Sequence, residues 1–105
     1  MSLERVIKAL VSLGLERLDA EVYVYIANKG PQTVVDLASD VNCDKHKIYH
    51  SIAHLQANRL VSMKDGLISA LPFEEALELL IEQKKEQTEV ICKNKKDLIV
   101  NWKTE

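Results

Sequence analysis

The sequence predicts a mainly α-helical fold that carries one small β-hairpin. Three glycines and two prolines in 105 residues leave few points at which a helix must break. Apolar residues recur at helical spacing through most of the chain. One short stretch instead sets Asp-Gly between two apolar runs, which is a strong hairpin signal. The length suits one globular unit.

Composition narrows the class of protein. The chain has 14 basic and 16 acidic residues and a formal net charge of −2, which taken alone argues against a nucleic-acid partner. No apolar run approaches the roughly 18 residues that cross a bilayer, and the first residues do not resemble a signal peptide. We therefore expect a cytoplasmic protein without membrane contact. Cys43 and Cys92 lie too far apart in sequence to indicate a disulfide framework.

The first 30 residues predict two helices joined by a short turn. The first spans about residues 2–13, with Ser2 as N-cap and Gly14 in the left-handed position that ends it. The second spans about 18–28 and ends before Pro31. Its inward side chains are expected to be Val22, Tyr23 and Ile26, with Tyr25 less clearly placed.

Two further helices follow, separated by a tight connection. Thr33 is the expected N-cap of a short helix over 34–41, and Asp44 caps the next, over about 45–57. The inward residues of that longer helix are taken as Ile48, Tyr49, Ile52 and Leu55.

The pattern then changes to a hairpin and one long helix. Strands over about 60–64 and 67–71 flank Asp65-Gly66, Pro72 stops the second strand, and a helix runs from Phe73 to about residue 100 or beyond. A short helix, tight turn and longer helix followed directly by a hairpin predict a winged helix-turn-helix. We expect this DNA-binding domain to cover residues 1–72 and the long C-terminal helix to cover 73–105.

Several motifs, in this order, resemble the archaeal TrmB-type transcriptional regulators. They are Leu-Gly-Leu at 13–15, Ala-Glu-Val-Tyr at 20–23, Gly-Pro at 30–31, Leu-Ala at 37–38, Lys-Ile-Tyr at 47–49, Leu-Val at 60–61 and Pro-Phe-Glu-Glu-Ala-Leu at 72–77. The match covers about residues 10–85. It implies a winged helix-turn-helix that binds double-stranded DNA.

The chain departs from the family pattern at several places. Glu16 stands where the family usually has a Ser or Thr N-cap, and Arg59 replaces a glycine, so Asn58 is expected to adopt the left-handed conformation. The wing carries only Lys64, beside Asp65. Many relatives also have a C-terminal sugar-binding domain, so sugar sensing is not carried over, and any small-molecule effector stays unknown.

The second helix of such a motif lies in the major groove. We therefore assign residues 44–57 as the recognition helix, with the histidines and lysines on its outward side. The predicted DNA-contacting residues are Gln32, Thr33, Lys45, His46, Lys47, His50, Ser51, His54, Arg59 and Lys64. Residues 28–65 have five basic against four acidic groups, and 73–105 carry a net −2, so the acidic excess lies mainly outside the reading helix.

The histidines of the recognition helix also have a spacing that can bind a transition metal. His46, His50 and His54 recur every four residues, with Cys43 upstream, but no residue clearly completes a tetrahedral set, so no metal or other cofactor is predicted. The histidines also allow pH-dependent DNA affinity. Tyr49 is expected to pack in the core. No catalytic motif indicates an enzyme.

The last helix predicts a homodimer. Apolar residues alternate at spacings of four and three, although Lys84, Thr88 and Lys95 interrupt the seam. The expected dimerisation residues are Leu77, Ile81, Ile91, Leu98 and Trp102. A helix folded back on its own domain is the alternative.

The whole pattern favours a sequence-specific transcriptional regulator. A winged helix that contacts only proteins of the transcription machinery is the second hypothesis.

Overall fold

The computed structural model describes residues 3–93 and 99–100, with side chains described up to residue 89 and at 99–100. Five helices and one two-stranded antiparallel sheet follow in the predicted order. Their bounds are α1 Leu3–Ser12, α2 Arg17–Lys29, α3 Val34–Asp40, α4 Lys45–Ala57, β1 Val61–Lys64, β2 Leu67–Ala70 and α5 Phe73–Lys93. The predicted mainly helical fold with a β-hairpin is confirmed.

One core forms where α1, α2, α3 and α4 meet the hairpin. α2 lies at its centre, with Val22, Tyr23, Val24 and Ile26 all buried. α4 contributes Ile48, Ile52 and Leu55, and the hairpin contributes Ile68. The apolar pattern of the four helices therefore closes one hydrophobic unit.

Helices α1 and α2 are joined at their solvent side by an ion-pair network. Gly14 has φ +111°, which ends α1 as expected. Arg17 then makes a bidentate pair with Glu4, with both N–O distances 2.8 Å, and a further bond to Glu21. The hydrogen bonds from Arg17 lower the pKa of the Glu4 carboxyl. These contacts are exposed to solvent and therefore contribute little to stability.

The connection between α3 and α4 is the tight turn that a helix-turn-helix requires. Thr33 Oγ1 accepts a hydrogen bond from the Asp36 amide at 3.1 Å, and Asp44 Oδ1 accepts one from the His46 amide at 3.0 Å. Both predicted N-caps are thereby confirmed. Asn42, at φ +53°, supplies the left-handed residue between them.

The hairpin is a wing attached to the helical body. Asp65 and Gly66 have φ +53° and +79°, as a two-residue hairpin turn requires. Gln32, which precedes α3, pairs through its backbone with Ile68 of β2 at N–O distances of 3.0 and 2.7 Å. The wing is thus tied to the start of the helix-turn-helix as well as to the end of α4.

The left-handed residue between α4 and the wing differs from the expectation. Arg59 has φ +63°, whereas Asn58 has φ −91°. The prediction for Asn58 is therefore wrong. Asn58 instead donates its side-chain amide to the carbonyl of His54 at 2.9 Å and closes the last turn of α4, so the chain reverses at Arg59.

Among its described side chains, those that helix α5 buries against the body lie in its first turns. Ala76 and Leu80 are buried, whereas Ile81 is 48% exposed. Lys84 Nζ donates to the carbonyl of Ser12, at the end of α1, at 2.6 Å. Residues 84–89 are exposed. Among the described residues, no helix is both long and apolar enough to cross a bilayer.

Candidate nucleic-acid interface

The outward face of α4 is polar and carries the residues predicted to read DNA. At 100° per residue, His46 and His50 project opposite the buried Ile48, Ile52 and Leu55. Lys45, Lys47, His46 and His50 are all exposed. The face they form is anchored by three fully buried or nearly buried side chains, so its direction is fixed by the core.

The structure exchanges the roles expected for Tyr49 and Ser51. Tyr49 is 57% exposed, so the prediction that it packs in the core is wrong. Ser51, one of the predicted DNA-contacting residues, is 2% exposed, so its hydroxyl faces the core and is not on the outward face. Ile48, Ser51, Ile52 and Leu55 follow the spacings three, four and seven that define one helical face, and Tyr49 lies 100° away from Ile48. An aromatic side chain is therefore added to the candidate interface.

His54 also departs from the predicted outward direction. It is half-buried, and its Nδ1 lies 3.3 Å from Oδ2 of Asp19 in α2. Its ring centroid is 4.4 Å from that of His50, at a tilted angle. His54 therefore contacts the body of the domain at one edge of the face, whereas His50 remains exposed.

The cations of the candidate interface differ from Arg17 and Lys29, although Arg5, Lys8 and Lys85 likewise make no salt bridge among the described residues. Arg17 is paired with Glu4 and Glu21, and Lys29 is paired with Asp40 at 3.3 Å and lies over the Tyr25 ring at 5.2 Å. No salt bridge within the described residues engages Lys45, Lys47, Arg59 or Lys64. Cations without an internal partner are available to neutralise phosphates.

Gln32 and Thr33 hold the start of α3 beside the wing. The Gln32 backbone is used by the bridge to Ile68, while its side chain is half-buried. The Thr33 hydroxyl oxygen is used by its cap, yet its own proton remains available to donate. Both residues therefore keep a donor for a phosphate oxygen, which stays a prediction.

Arg59 and Lys64 extend the exposed cationic groups to the wing. Arg59 follows the end of α4, and Lys64 is the last residue of β1 before the turn. Both side chains are exposed. Asp65 at the turn offsets the charge of Lys64, so the wing contributes a smaller local positive charge than α4.

The predicted dimerisation residues are only partly described. Leu77 is half-buried and Ile81 is exposed, on the length of α5 that leaves the body. The side chain of Ile91 and the residues Leu98 and Trp102 lie outside the part of the structure that is described. Lys84, which interrupts the seam in sequence, is directed to Ser12 of its own chain.

A comparison with protein families decides the class of this molecule. Residues 10–69 match the family model described as sugar-specific transcriptional regulator TrmB. The chain belongs to the TrmB family of transcriptional regulators. The resemblance drawn from the motifs is thereby confirmed.

The TrmB match covers the end of α1, all of α2, α3 and α4, and most of the wing. It includes every predicted DNA-contacting residue, whereas α5 lies outside it. No curated protein matches the chain. Membership of the family indicates a regulator of transcription. The residues through which this member acts are proposed below from the exposure and pairing of its own side chains.

Proposed function

We propose that this TrmB-family chain is a sequence-specific double-stranded DNA-binding transcriptional regulator that acts as a homodimer. α4 enters the major groove, and residues 1–72 form the DNA-binding unit. The observation that carries this proposal is the exposed face of α4, where Lys45 and Lys47 have no salt-bridge partner among the described residues.

The proposed contacts divide into two classes. Lys45, Lys47, Arg59 and Lys64 contact phosphates, which position the protein on the duplex. His46 and His50, at the centre of the outward face, and Tyr49 at its flank reach the groove. Neutral histidine and tyrosine offer both donors and acceptors, so this set can discriminate base edges as well as neutralise charge.

The dimer is supported by the length of α5 that its own domain leaves uncovered. From Ile81 to Glu89 the helix extends about 12 Å at 1.5 Å per residue, and every side chain in this range except the half-buried Gln83 is exposed. Ile81 is exposed in this length, and an apolar side chain at heptad-like spacing is typical of helix pairing. A two-fold dimer would set two recognition helices on successive major grooves, about 34–36 Å apart.

The decisive experiment selects bound fragments from random duplex DNA and then measures affinity across a salt series. We expect enrichment of a palindromic site with two half-sites and a log–log salt slope that reports several phosphate contacts. Binding without sequence preference would refute specific recognition. The absence of binding at low salt would refute DNA binding altogether and favour a winged helix that contacts proteins.

Sedimentation tests the dimer separately. We expect the mass of two chains at micromolar concentration, with dissociation on dilution. A single-chain mass throughout that range would contradict the homodimer while leaving DNA binding by one domain intact. We propose no enzymatic activity and no effector for the chain.

A further inference from the structure

A buried carboxylate of α2 faces the recognition helix. Asp19 is 4% exposed, and its Oδ2 lies 3.3 Å from Nδ1 of His54. Glu16, immediately before α2, brings a second carboxylate to the same place. One oxygen from each carboxylate and one ring nitrogen of His54 all lie within 4.8 Å of one another. Three possible metal-ligand atoms, two from the start of α2 and one from α4, thus converge.

The buried position of Asp19 calls for a positive partner. A carboxylate removed from water is costly unless it is paired or hydrogen-bonded. The neighbouring Arg17 is committed to Glu4 and Glu21. His54 carries a positive charge only when it is protonated. A cation held between the two side chains would compensate the carboxylate while the imidazole is neutral.

The Glu16 side chain makes no hydrogen bond or ion pair among the described contacts, although its carbonyl accepts a hydrogen bond from the Ala20 amide. It stands at the N-cap position of α2, but its side chain makes no capping hydrogen bond. Glutamate is a poor residue for that position, where a shorter Ser, Thr, Asp or Asn side chain reaches the helix amides. Its exposed carboxylate is therefore free to turn toward Asp19 and His54.

The donor spacing fits a tetrahedral transition metal. Bonds of about 2.0–2.2 Å to nitrogen and carboxylate oxygen place two ligands of a tetrahedral Zn²⁺ roughly 3.4 Å apart. Asp19 Oδ2 and His54 Nδ1 already have this separation, at 3.3 Å. Glu16 needs only a side-chain adjustment, because its carboxylate is on a flexible exposed stem. No other group of three such residues converges within the described part of the chain.

We propose that Glu16, Asp19 and His54 bind one divalent transition metal ion of the Zn²⁺ type. Three protein ligands leave the fourth position to water. The ion would join the first turn of α2 to the C-terminal half of the recognition helix. This set shares only His54 with the histidine series considered from sequence spacing.

The test is calorimetric titration of chelator-treated, dialysed full-length protein with ZnCl₂. We expect one saturable site per chain. Visible absorption of Co²⁺, used as a spectroscopic substitute for Zn²⁺, is expected to show the intense bands of a four-coordinate site. Binding should weaken in mildly acidic buffer, because protons compete for the ligands. Both readouts are independent of DNA, so a failure of the proposed function leaves this test unaffected.

The variants His54→Gln and Glu16→Gln distinguish this site from metal binding elsewhere on the chain. Each is expected to weaken Zn²⁺ binding by more than about 100-fold, since removal of an outer hydrogen-bond partner alone costs 10–100-fold. His46→Gln, on the same helix but outside the cluster, is the matched control and should bind like the wild type. Glu16 is exposed, so Glu16→Gln tests the site without disturbing the core. The proposal is overturned if wild-type protein shows no saturable binding, if Glu16→Gln binds unchanged, or if binding depends on His46 or His50 instead.

Discussion

Helices α4 and α5 differ in how much of their length is buried against the domain. α4 buries a complete face along all of its turns, and on its outer side Lys45 and Lys47 make no salt bridge with any described residue. α5 buries Ala76 and Leu80 near its start and then continues with Ile81 exposed. The core therefore fixes α4 along its whole length and sets the direction of its outer surface, whereas the buried described side chains of α5 lie in its first turns.

The largest expected effect concerns the contribution of α4 to stability, compared with that of an exposed position in the wing. Leu55→Ala should lower the free energy of unfolding by about 2–5 kcal/mol, because it leaves a cavity under α4. Leu67→Ala, at a wing position that is 45% exposed, should cost less than about 1 kcal/mol. Chemical denaturation of both variants measures the pair. Equal losses would mean that α4 is not the buried support of this domain.

The second prediction concerns charge on α4. Replacing Lys45 and Lys47 together with alanine should weaken binding to all duplexes by about 10–100-fold and reduce the salt slope by about 2. The double variant Arg5→Ala with Lys8→Ala removes the same charge from exposed positions of α1 and is the matched control. Fluorescence anisotropy across a salt series measures both. An unchanged slope in the α4 variant would show that Lys45 and Lys47 do not contact phosphates.

The third prediction concerns the exposed length of α5. Ile81→Glu should weaken the dimer by at least about tenfold, because pairing would then bury a charge. Gln87→Glu introduces the same carboxylate at an exposed position of this helix outside the predicted seam. Sedimentation at a series of concentrations compares them. If both variants keep the wild-type mass distribution, the seam lies elsewhere or α5 does not pair.

The fourth prediction concerns the attachment of α5 to the body. The Tyr23 hydroxyl donates to the carbonyl of Leu71 at 2.5 Å, just before α5, and burial raises the pKa of Tyr23 to about 12. Tyr23→Phe should lower the free energy of unfolding by about 1 kcal/mol.

The same group predicts a pH dependence. The folded pKa of Tyr23 lies above the ordinary value of 10.0, so ionisation favours the unfolded chain. This contribution to stability is complete below about pH 10 and is lost as the pH rises towards 12. Denaturation of the wild type should weaken over this interval more steeply than that of Tyr23→Phe. Parallel curves would contradict the assigned role of Tyr23.

The smallest expected effect tests the new position of Tyr49. Tyr49→Phe should leave the unfolding free energy within about 0.5 kcal/mol, because the side chain is exposed. It should weaken DNA binding by about threefold through the lost hydroxyl. His46→Ala, at the centre of the same face, provides a comparison for direct base contact. Tyr49→Ala removes the ring as well, and a loss of about 3 kcal/mol or more in that variant would restore the packing role expected from sequence.

Sequence predicted the order of elements well because each element has a strong local signal. Helix bounds follow from caps such as Thr33 and Asp44, and the hairpin follows from Asp65-Gly66. The burial of Ser51 and the exposure of Tyr49 were not predicted, because hydrophobicity favours tyrosine over serine for the core. In the structure the helical spacing of the buried residues decides, and the small serine fits where α4 packs closely on the body.

Contacts between residues that are far apart in sequence were the hardest to predict. Asp19 and His54 are 35 positions apart, and each looks like an ordinary polar surface residue in its own helix. Their approach depends on how α2 crosses α4, which periodicity does not specify. The left-handed Arg59 was missed for a different reason, because asparagine is the more common choice for that conformation.

The bridge between Gln32 and Ile68 has a consequence for how this surface can diverge. It uses only main-chain atoms, so the wing stays attached whatever side chain occupies position 32, proline excepted. On the proposed role of Gln32, a substitution at this position would change the contact with DNA without loosening the fold. The side chain beside the wing can therefore vary while the attachment of the wing is kept.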